Sequence, residues 1–375
     1  MIYPLHFELY DGKKELQGYT FSVAKDHEGK NMKLERGINL GGYLSQCVHS
    51  TEHYDTFIQE EDIHKIASMG FDHVRLPIDY EVLEDEIGRT REEGFAYVTR
   101  AVEWCKRQGL NIILDLHKAY GYDFNNAGDK EKNTLFTNKM VQKRFVDLWI
   151  KIAEHYADET HVAFELLNEV VEQENAKAWN LLIAETVDAI RRIAKDTIII
   201  YGGIQWNSVK TLKLLEKPKN KNILFTFHFY EPLLFTHQKA HWVPTISQTE
   251  DIYYPEAMDY YRTKSLPIGY QGEVVCKAQA QNMGTEFITE MVMEAVTAAK
   301  KAGVALYCGE FGVIDQAPVE DTLRWFTDVD TVFRQFDISC AVWTYKEMDF
   351  GLTGEHYAPI CEQLLKLWNR KQVES

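Results

Sequence analysis

The chain has 375 residues, 45% hydrophobic and 13% aromatic, with 41 basic against 57 acidic side chains and a formal charge of −16. That balance argues against nucleic acid and anionic membranes as partners and disfavours a strongly acidic polymer as substrate. No apolar run of 18 residues is present to span a membrane, and residues 1–8 lack the basic-then-apolar order of a secretory signal. The expected location is therefore the cytoplasm, or outside the cell for a chain whose signal has been removed.

In chain order, residues 1–34 alternate polar and apolar around the turn signals Asp11-Gly12 and Glu28-Gly29. They read as an N-terminal β extension packed as a lid or plug on the remainder of the chain. From residue 35 to 375 the rhythm is strand, loop, helix, repeated. Strands are predicted at 37–40, 73–76, 112–116, 162–167, 198–201, 224–227, 305–308 and 339–343. Helical patterns lie between them at 60–69, 97–108, 141–156, 176–195, 208–215, 286–302 and 321–336. Glycines at 70, 109 and 303 follow three of these helices, as a helix C-terminus prefers. Eight such repeats without a linker or composition break predict a single-domain (β/α)8 TIM barrel. A doubly wound open sheet is the alternative, but no Gly-x-Gly-x-x-Gly or phosphate loop supports it.

The six cysteines (Cys47, Cys105, Cys276, Cys308, Cys340 and Cys361) form no Cys-x-x-Cys pair, and free thiols are the ordinary reading. The connection from about residue 229 to 285 is long and carries Trp242, Tyr253, Tyr254, Tyr260, Tyr261 and Tyr270. It is too aromatic for disorder and is expected to fold over one side of a cleft.

Side chains at the carboxyl ends of barrel strands build active sites. Those ends supply Arg75, His117, Asn168, Glu169, His228, Tyr230, Glu310 and Trp343. Each taken alone has a structural explanation; together, at equivalent positions of a repeated unit, they point to a site. Glu169 and Glu310 each end an apolar strand, where a carboxylate must be paired or working. Two carboxyl groups flanking one bond are what glycoside hydrolysis requires, ~5–5.5 Å apart when a covalent glycosyl intermediate forms. One must be held protonated and the other ionised. Arg75 and Tyr230 are candidates for keeping one of them ionised, and Asn168 for gripping a sugar 2-hydroxyl.

The opening strand Arg36-Gly37-Ile38-Asn39-Leu40-Gly41-Gly42, the Leu-Asn-Glu ending at Glu169 and the Gly-Glu-Phe-Gly around Glu310 resemble glycoside hydrolase family 5. The resemblance runs from Arg36 to Trp343. It implies that Glu169 is the acid/base and Glu310 the nucleophile of a retaining glycosidase. It also implies that Arg75, His117, Asn168, His228, Tyr230 and Trp343 line the subsite beside the cleaved bond. In family members the Trp matching Trp343 often precedes a cis peptide. Asp115 and Glu165 read as hydrogen-bonding or paired supports, while Asp315, Glu231 and Asp349 sit in loops at the rim.

The substrate expected from the resemblance to bacterial β-glucan hydrolases is a neutral β-linked polysaccharide or oligosaccharide. The favoured form is β-1,4-glucan cut within the chain by a monomer without cofactor or metal. Mannan, xyloglucan, mixed-linkage and β-1,3-glucan, and exo action on oligosaccharides, stay open. Aromatic platforms outside the central subsite are sought at Trp206, Trp242, Tyr43, Tyr120 and Tyr122. Two other classes compete with this reading. A metal-dependent barrel hydrolase lacks its usual His-x-His on the first strand, and a non-catalytic sugar-binding barrel needs neither glutamate.

Overall fold

The computed structural model describes residues 32–370. The β extension expected over 1–34 therefore lies almost entirely outside the described residues. Eight parallel strands close into a barrel, each pairing with the next and β8 with β1. They are β1 Arg36–Asn39, β2 His73–Asp79, β3 Asn111–Lys118 and β4 Val162–Glu165. The second half comprises β5 Ile199–Gly202, β6 Ile223–Phe229, β7 Ala305–Phe311 and β8 Ser339–Val342.

Side chains alternate across each strand, one set inward and one toward the surrounding helices. Ile113, Ala163, Ile200, Leu224, Tyr307 and Ala341 share one buried layer, against which Met32 and Leu34 pack. Two residues further along β2, β3, β4 and β6 the same alternation yields Arg75, Asp115, Glu165 and Thr226, all fully buried. Apolar filling thus gives way to charge toward the carboxyl ends, which is where a site belongs on this fold.

The helices Glu60–Ser68, Glu92–Gln108, Lys139–Tyr156, Ala176–Arg191, Thr285–Ala302 and Val319–Gln335 match the predicted patterns to within a few residues. Gly109 and Gly303 end two of them in the left-handed conformation, with φ of 70° and 77°. Two differences stand out. The pattern at 208–215 forms a short 3-10 helix, Val209–Leu214, so the fifth repeat has no full helix. A final helix, Cys361–Asn369, burying Leu364 and Trp368, completes the ring and was not predicted. Its pattern is only nine residues long and follows an irregular stretch.

Three buried helix tryptophans tie the outer ring to the strand ends. Trp149, Trp179 and Trp325 donate their indole N–H to the carbonyls of Leu166, Gly202 and Glu231 at 3.0, 2.9 and 3.0 Å. A buried indole usually finds such an acceptor, and Glu231 is itself a cleft residue. At a different point, Asp330 gathers Arg36, Arg334 and Arg370 at 3.5, 2.8 and 2.8 Å. One buried carboxylate thereby joins the first strand, the seventh helix and the end of the eighth. All six cysteines are free, and no described helix is long and apolar enough to cross a membrane.

Candidate active site

Arg75 is the centre of the charged layer. Its side chain is 0% exposed and grips both oxygens of Glu165, at 2.8 and 3.0 Å. The same guanidinium reaches Asp115 Oδ2 at 3.1 Å, Glu310 Oε1 at 2.8 Å, and the side-chain oxygens of Asn39 and Asn168 at 3.0 Å. One cation thus faces three carboxyl groups. Burial alone would lower its pKa, but Asp115, Glu165 and Glu310 outweigh burial and raise it. Burial pushes Asp115 up to about 7 against the pull of Arg75, and its Oδ2 is 2.7 Å from His117 Nδ1.

Glu310 is re-aimed by a bulge. The β6–β7 register runs Phe227 opposite Cys308, then jumps to His228 opposite Glu310. By simple alternation Gly309 would face inward and Glu310 outward; the slip turns the carboxylate in. Gly309 fits closely there, because a Cβ would sit 3.0 Å from Thr226 Oγ1 and 3.2 Å from His228 Nε2 and would press on both side chains. Each Glu310 oxygen then has a donor, Arg75 Nη1 on Oε1 and the Tyr230 hydroxyl on Oε2 at 3.0 Å. Burial first, then the charges of Glu310 and Glu169, hold the Tyr230 phenol well above its usual range, so it remains a donor.

Glu169 has a different environment. It takes a left-handed backbone, φ 41°, just past β4. The Tyr122 hydroxyl fixes that backbone, donating to Glu169 O at 3.0 Å and accepting from Val171 N at 2.8 Å. Among the described residues its carboxyl meets no Lys or Arg directly; Oε1 lies 2.7 Å from His228 Nδ1. Burial raises its pKa to about 7, with the charges of His117 and Arg75 opposing. Burial also lowers His228 to about 4, so this imidazole is neutral. One carboxyl oxygen of Glu169, one of Glu310 and a His228 nitrogen all lie within 4.8 Å of one another.

These groups floor a cleft of about 710 Å³. The His117 and Trp343 rings, both in its lining, stack on one another with centroids 5.9 Å apart and planes 7° off. Trp343-Thr344 is cis. The other flank carries Gln205, Trp206, Ser208 and Glu231, and the long sixth connection adds His237, Trp242, Tyr270 and Gln271. Non-glycine residues with positive φ crowd this rim: Gln46, Glu169, Gln205, Trp206, Met348 and Asp349 all line the cleft. Such conformations are unfavourable and persist where the surroundings impose them, often at functional sites. Two groups of described side chains have chelating spacing, Glu169-His228-Glu310 in the cleft and His49-Asp79-Glu81 outside it. In the second, Lys118 already stands 3.5 Å from Asp79.

A family model described as Cellulase (glycosyl hydrolase family 5) matches residues 35–349. The chain belongs to glycosyl hydrolase family 5. It is 40% identical over 357 residues to Endoglucanase C of Acetivibrio thermocellus, covering 91% of this chain and 100% of that protein. To Cellodextrinase A of Ruminococcus flavefaciens it is 37% identical over 321 residues, 84% of this chain and 88% of the relative. Among solved structures, Cel5A of Thermotoga maritima with cellobiose superposes with a TM-score of 0.71 at 25% identity, over 89% and 96% of the two chains.

Of the residues expected at the family 5 site, His117, Asn168, Glu169, His228, Tyr230, Glu310 and Trp343 all border the one cleft. Arg75 does not; it lies beneath the floor, with no exposed surface. Of the sought platforms, Trp206 and Trp242 border the cleft. Tyr43 is a core residue, 0% exposed, whose hydroxyl accepts from Arg100 at 3.2 Å. Tyr122 is 2% exposed and spent on the Glu169 backbone. Tyr120 stacks under Arg144, 3.7 Å from guanidinium carbon to ring centre, away from the cleft wall. Glu231 and Asp349 line the cleft and Asp315 does not. Sequence reasoning missed Gln46, whose side-chain amide is 3.1 Å from His117 Nε2, and Gln271, whereas Tyr270 of the connection expected over the cleft does line it. Gln46 follows β1 by seven residues in a loop, with no strand-end signal to mark it.

Proposed function

We propose that this family 5 glycosidase is an endo-β-1,4-glucanase working by double displacement, with Glu310 as nucleophile and Glu169 as acid/base. The observation that carries the reading is the pair itself, two carboxyl groups with oxygens within 4.8 Å but opposite surroundings. That spacing suits a retaining enzyme, since inverting pairs stand ~6.5–9.5 Å apart to admit a water. Arg75 and Tyr230 each donate to Glu310, which favours a carboxylate ready to attack the anomeric carbon. Glu169, raised to about 7, carries a proton for the leaving oxygen at slightly acidic pH. After the glycosyl–Glu310 ester forms, the Glu169 carboxylate takes a proton from the incoming water and is reset.

Asn168 supports the charge that develops on the sugar. Its Oδ1 is held by Arg75, while its buried Nδ2 has no partner among the described residues, and Asn168 borders the cleft. An orphan donor there suits a 2-hydroxyl, a contact that tightens as the oxocarbenium develops. The glucan specificity rests on the relatives named above. Viscosity loss set against reducing-end release, on β-1,4-glucan, lichenan, laminarin, xyloglucan and mannan, tests it. A preference for any of the other polymers, or products of a single short length, would replace this reading. Azide added to Glu169→Ala should yield a β-glycosyl azide; the same product from Glu310→Ala would reverse the two roles.

A further inference from the structure

Asn207 touches neither the cleft nor any charged group, yet it is 1% exposed and sits in an unusual backbone. Gln205, Trp206 and Asn207 are consecutive left-handed residues without a glycine, φ 53°, 57° and 51°. L-residues avoid that conformation, so the turn must be held by its surroundings. Gln205 N and Trp206 N donate to Val171 O and Val170 O at 3.2 Å, the two residues directly after Glu169. Asn207 O accepts from His228 N at 3.0 Å. The turn therefore fastens the loop of Glu169 to the strand of His228. Room for the Asn207 amide is made by Gly202, whose Cβ would fall 2.4 Å from Asn207 Oδ1.

We propose that Asn207 is a positioning residue that sets the tautomer of His228 and so directs the acidic proton of Glu169 toward the substrate. The inference rests on the reading of Glu169 as the acid/base. His228 Nδ1 faces two carboxyl groups, Glu169 Oε1 at 2.7 Å and Glu310 Oε2 at 3.5 Å. Two acceptors on that side favour the proton on Nδ1. Nε2 is then bare, and among the described residues its hydrogen-bond partner is Asn207 Nδ2, at 3.4 Å. An amide N–H there stabilises the Nδ1–H tautomer, and Asn207 Oδ1 is left buried with no partner. A buried acceptor left unpaired is costly, which fits an amide retained for its N–H.

The consequence concerns where a proton can go. With Nδ1 protonated, His228 donates to Glu169 Oε1 and cannot accept from it. The Glu169 proton is confined to Oε2, the oxygen that His228 does not hold. In the first step that proton moves to the glycosidic oxygen as its bond to the anomeric carbon breaks and the Glu310 ester forms. In the second, water gives a proton back to Oε2 while its oxygen bonds the anomeric carbon. His228 keeps its own proton throughout. In the reverse tautomer Glu169 would donate to Nδ1 and its proton would be turned away from the leaving group. The other titratable groups around this pair, Arg75 from β2, Asp115 and His117 from β3, Glu165 from β4 and Glu310 from β7, are the same in either tautomer.

The test compares kcat/KM, which reports the first step, on cellotetraose and on 2,4-dinitrophenyl β-cellobioside, whose leaving group needs no proton. Asn207→Asp presents an acceptor to Nε2 and draws a proton there, as the reverse tautomer, which turns the Glu169 proton away, or as the imidazolium, whose charge ionises Glu169. It should lower kcat/KM on cellotetraose by about a hundredfold, the low end of general acid catalysis, and change the dinitrophenyl substrate by less than about threefold. Asn207→Gly, which removes the amide and suits a positive φ, should show the same split at smaller size. Equal losses on both substrates in folded protein, or no loss with either variant, would overturn the proposal. Glu169→Gln is run alongside. If it fails to show the split, the acid/base assignment is at fault; if it shows the split and the Asn207 variants do not, the tautomer role is.

Discussion

Arg75 illustrates how one residue can set the charge state of a whole site. It stands opposite Glu165, Asp115 and Glu310 with no solvent to share the load. Removing one partner from a buried ionic cluster leaves its counter-charges uncompensated, which costs about 3–5 kcal/mol. Arg75→Met should therefore lower the unfolding free energy by about that amount at pH 7, measured by denaturant titration, and abolish turnover in whatever remains folded. A second prediction concerns pH. Glu169 must be protonated for the first step, and its pKa is about 7. The protonated fraction is full below that value and lost above it, so kcat/KM on cello-oligosaccharides should fall as pH rises through about 7. That basic limb should vanish in the residual activity of Glu169→Gln on a dinitrophenyl cellobioside. Its persistence would assign the limb to another group, such as Glu231, also raised to about 7 by burial. Seven of the eight expected strand-end residues were legible because each follows an apolar run of β-forming residues; Arg75 follows only Val74 and is the third of the seven residues of β2, so it lies below the strand end rather than at it. The pairing of Arg75 with Glu165 across the barrel was not, because it depends on closure of the sheet rather than on spacing along the chain.

Elements decide which side chains reach the cleft, and here sequence reasoning was less sure. Tyr43 and Tyr122 occupy strand-to-loop segments, as a platform would, but nothing in the local pattern says which way a loop ring turns. The Gly309 bulge is equally silent: the motif placed Glu310 at a strand end, whereas the inward direction comes from a one-residue slip against β6. The long sixth connection is the clearest case of partial legibility. Its aromatic content predicted order, and it holds the helices Met258–Ser265 and Tyr270–Cys276. Two of its tyrosines pack internally, Tyr254 and Tyr261 at 1% and 0% exposure. Trp242, by contrast, is 44% exposed at the rim. Trp242→Ala should raise KM for long glucans several-fold, by loss of a stacking surface of about 0.5–1.5 kcal/mol, while KM for an aryl cellobioside stays within twofold. An equal rise for both substrates would place Trp242 beside the reacting sugar instead.

For the whole molecule, the −16 charge has a kinetic meaning. A neutral glucan approaches without hindrance, whereas carboxymethyl-cellulose, a polyanion, is repelled. Surface charges are screened beyond ~8 Å at physiological salt. KM for carboxymethyl-cellulose should therefore fall as salt rises from about 0.01 to 0.3 M, while KM for barley glucan or hydroxyethyl-cellulose should not move. A parallel response of the charged and neutral polymers would point to an effect of salt on the protein itself.

The convergence of Arg36, Arg334 and Arg370 on Asp330 brings the side chains of positions 36 and 370 to one carboxylate. The start of β1 and the end of the last helix lie at the barrel mouth opposite the cleft, because β1 runs from this mouth toward the cleft and the helix runs back. The order in which the eight repeats are threaded is thus nearly arbitrary for the finished ring. A short peptide joining these two positions, with new ends opened in an exposed helix-to-strand loop, should give a circular permutant with the same cleft. The same geometry would let an appended module trail behind the enzyme while the cleft faces the polymer.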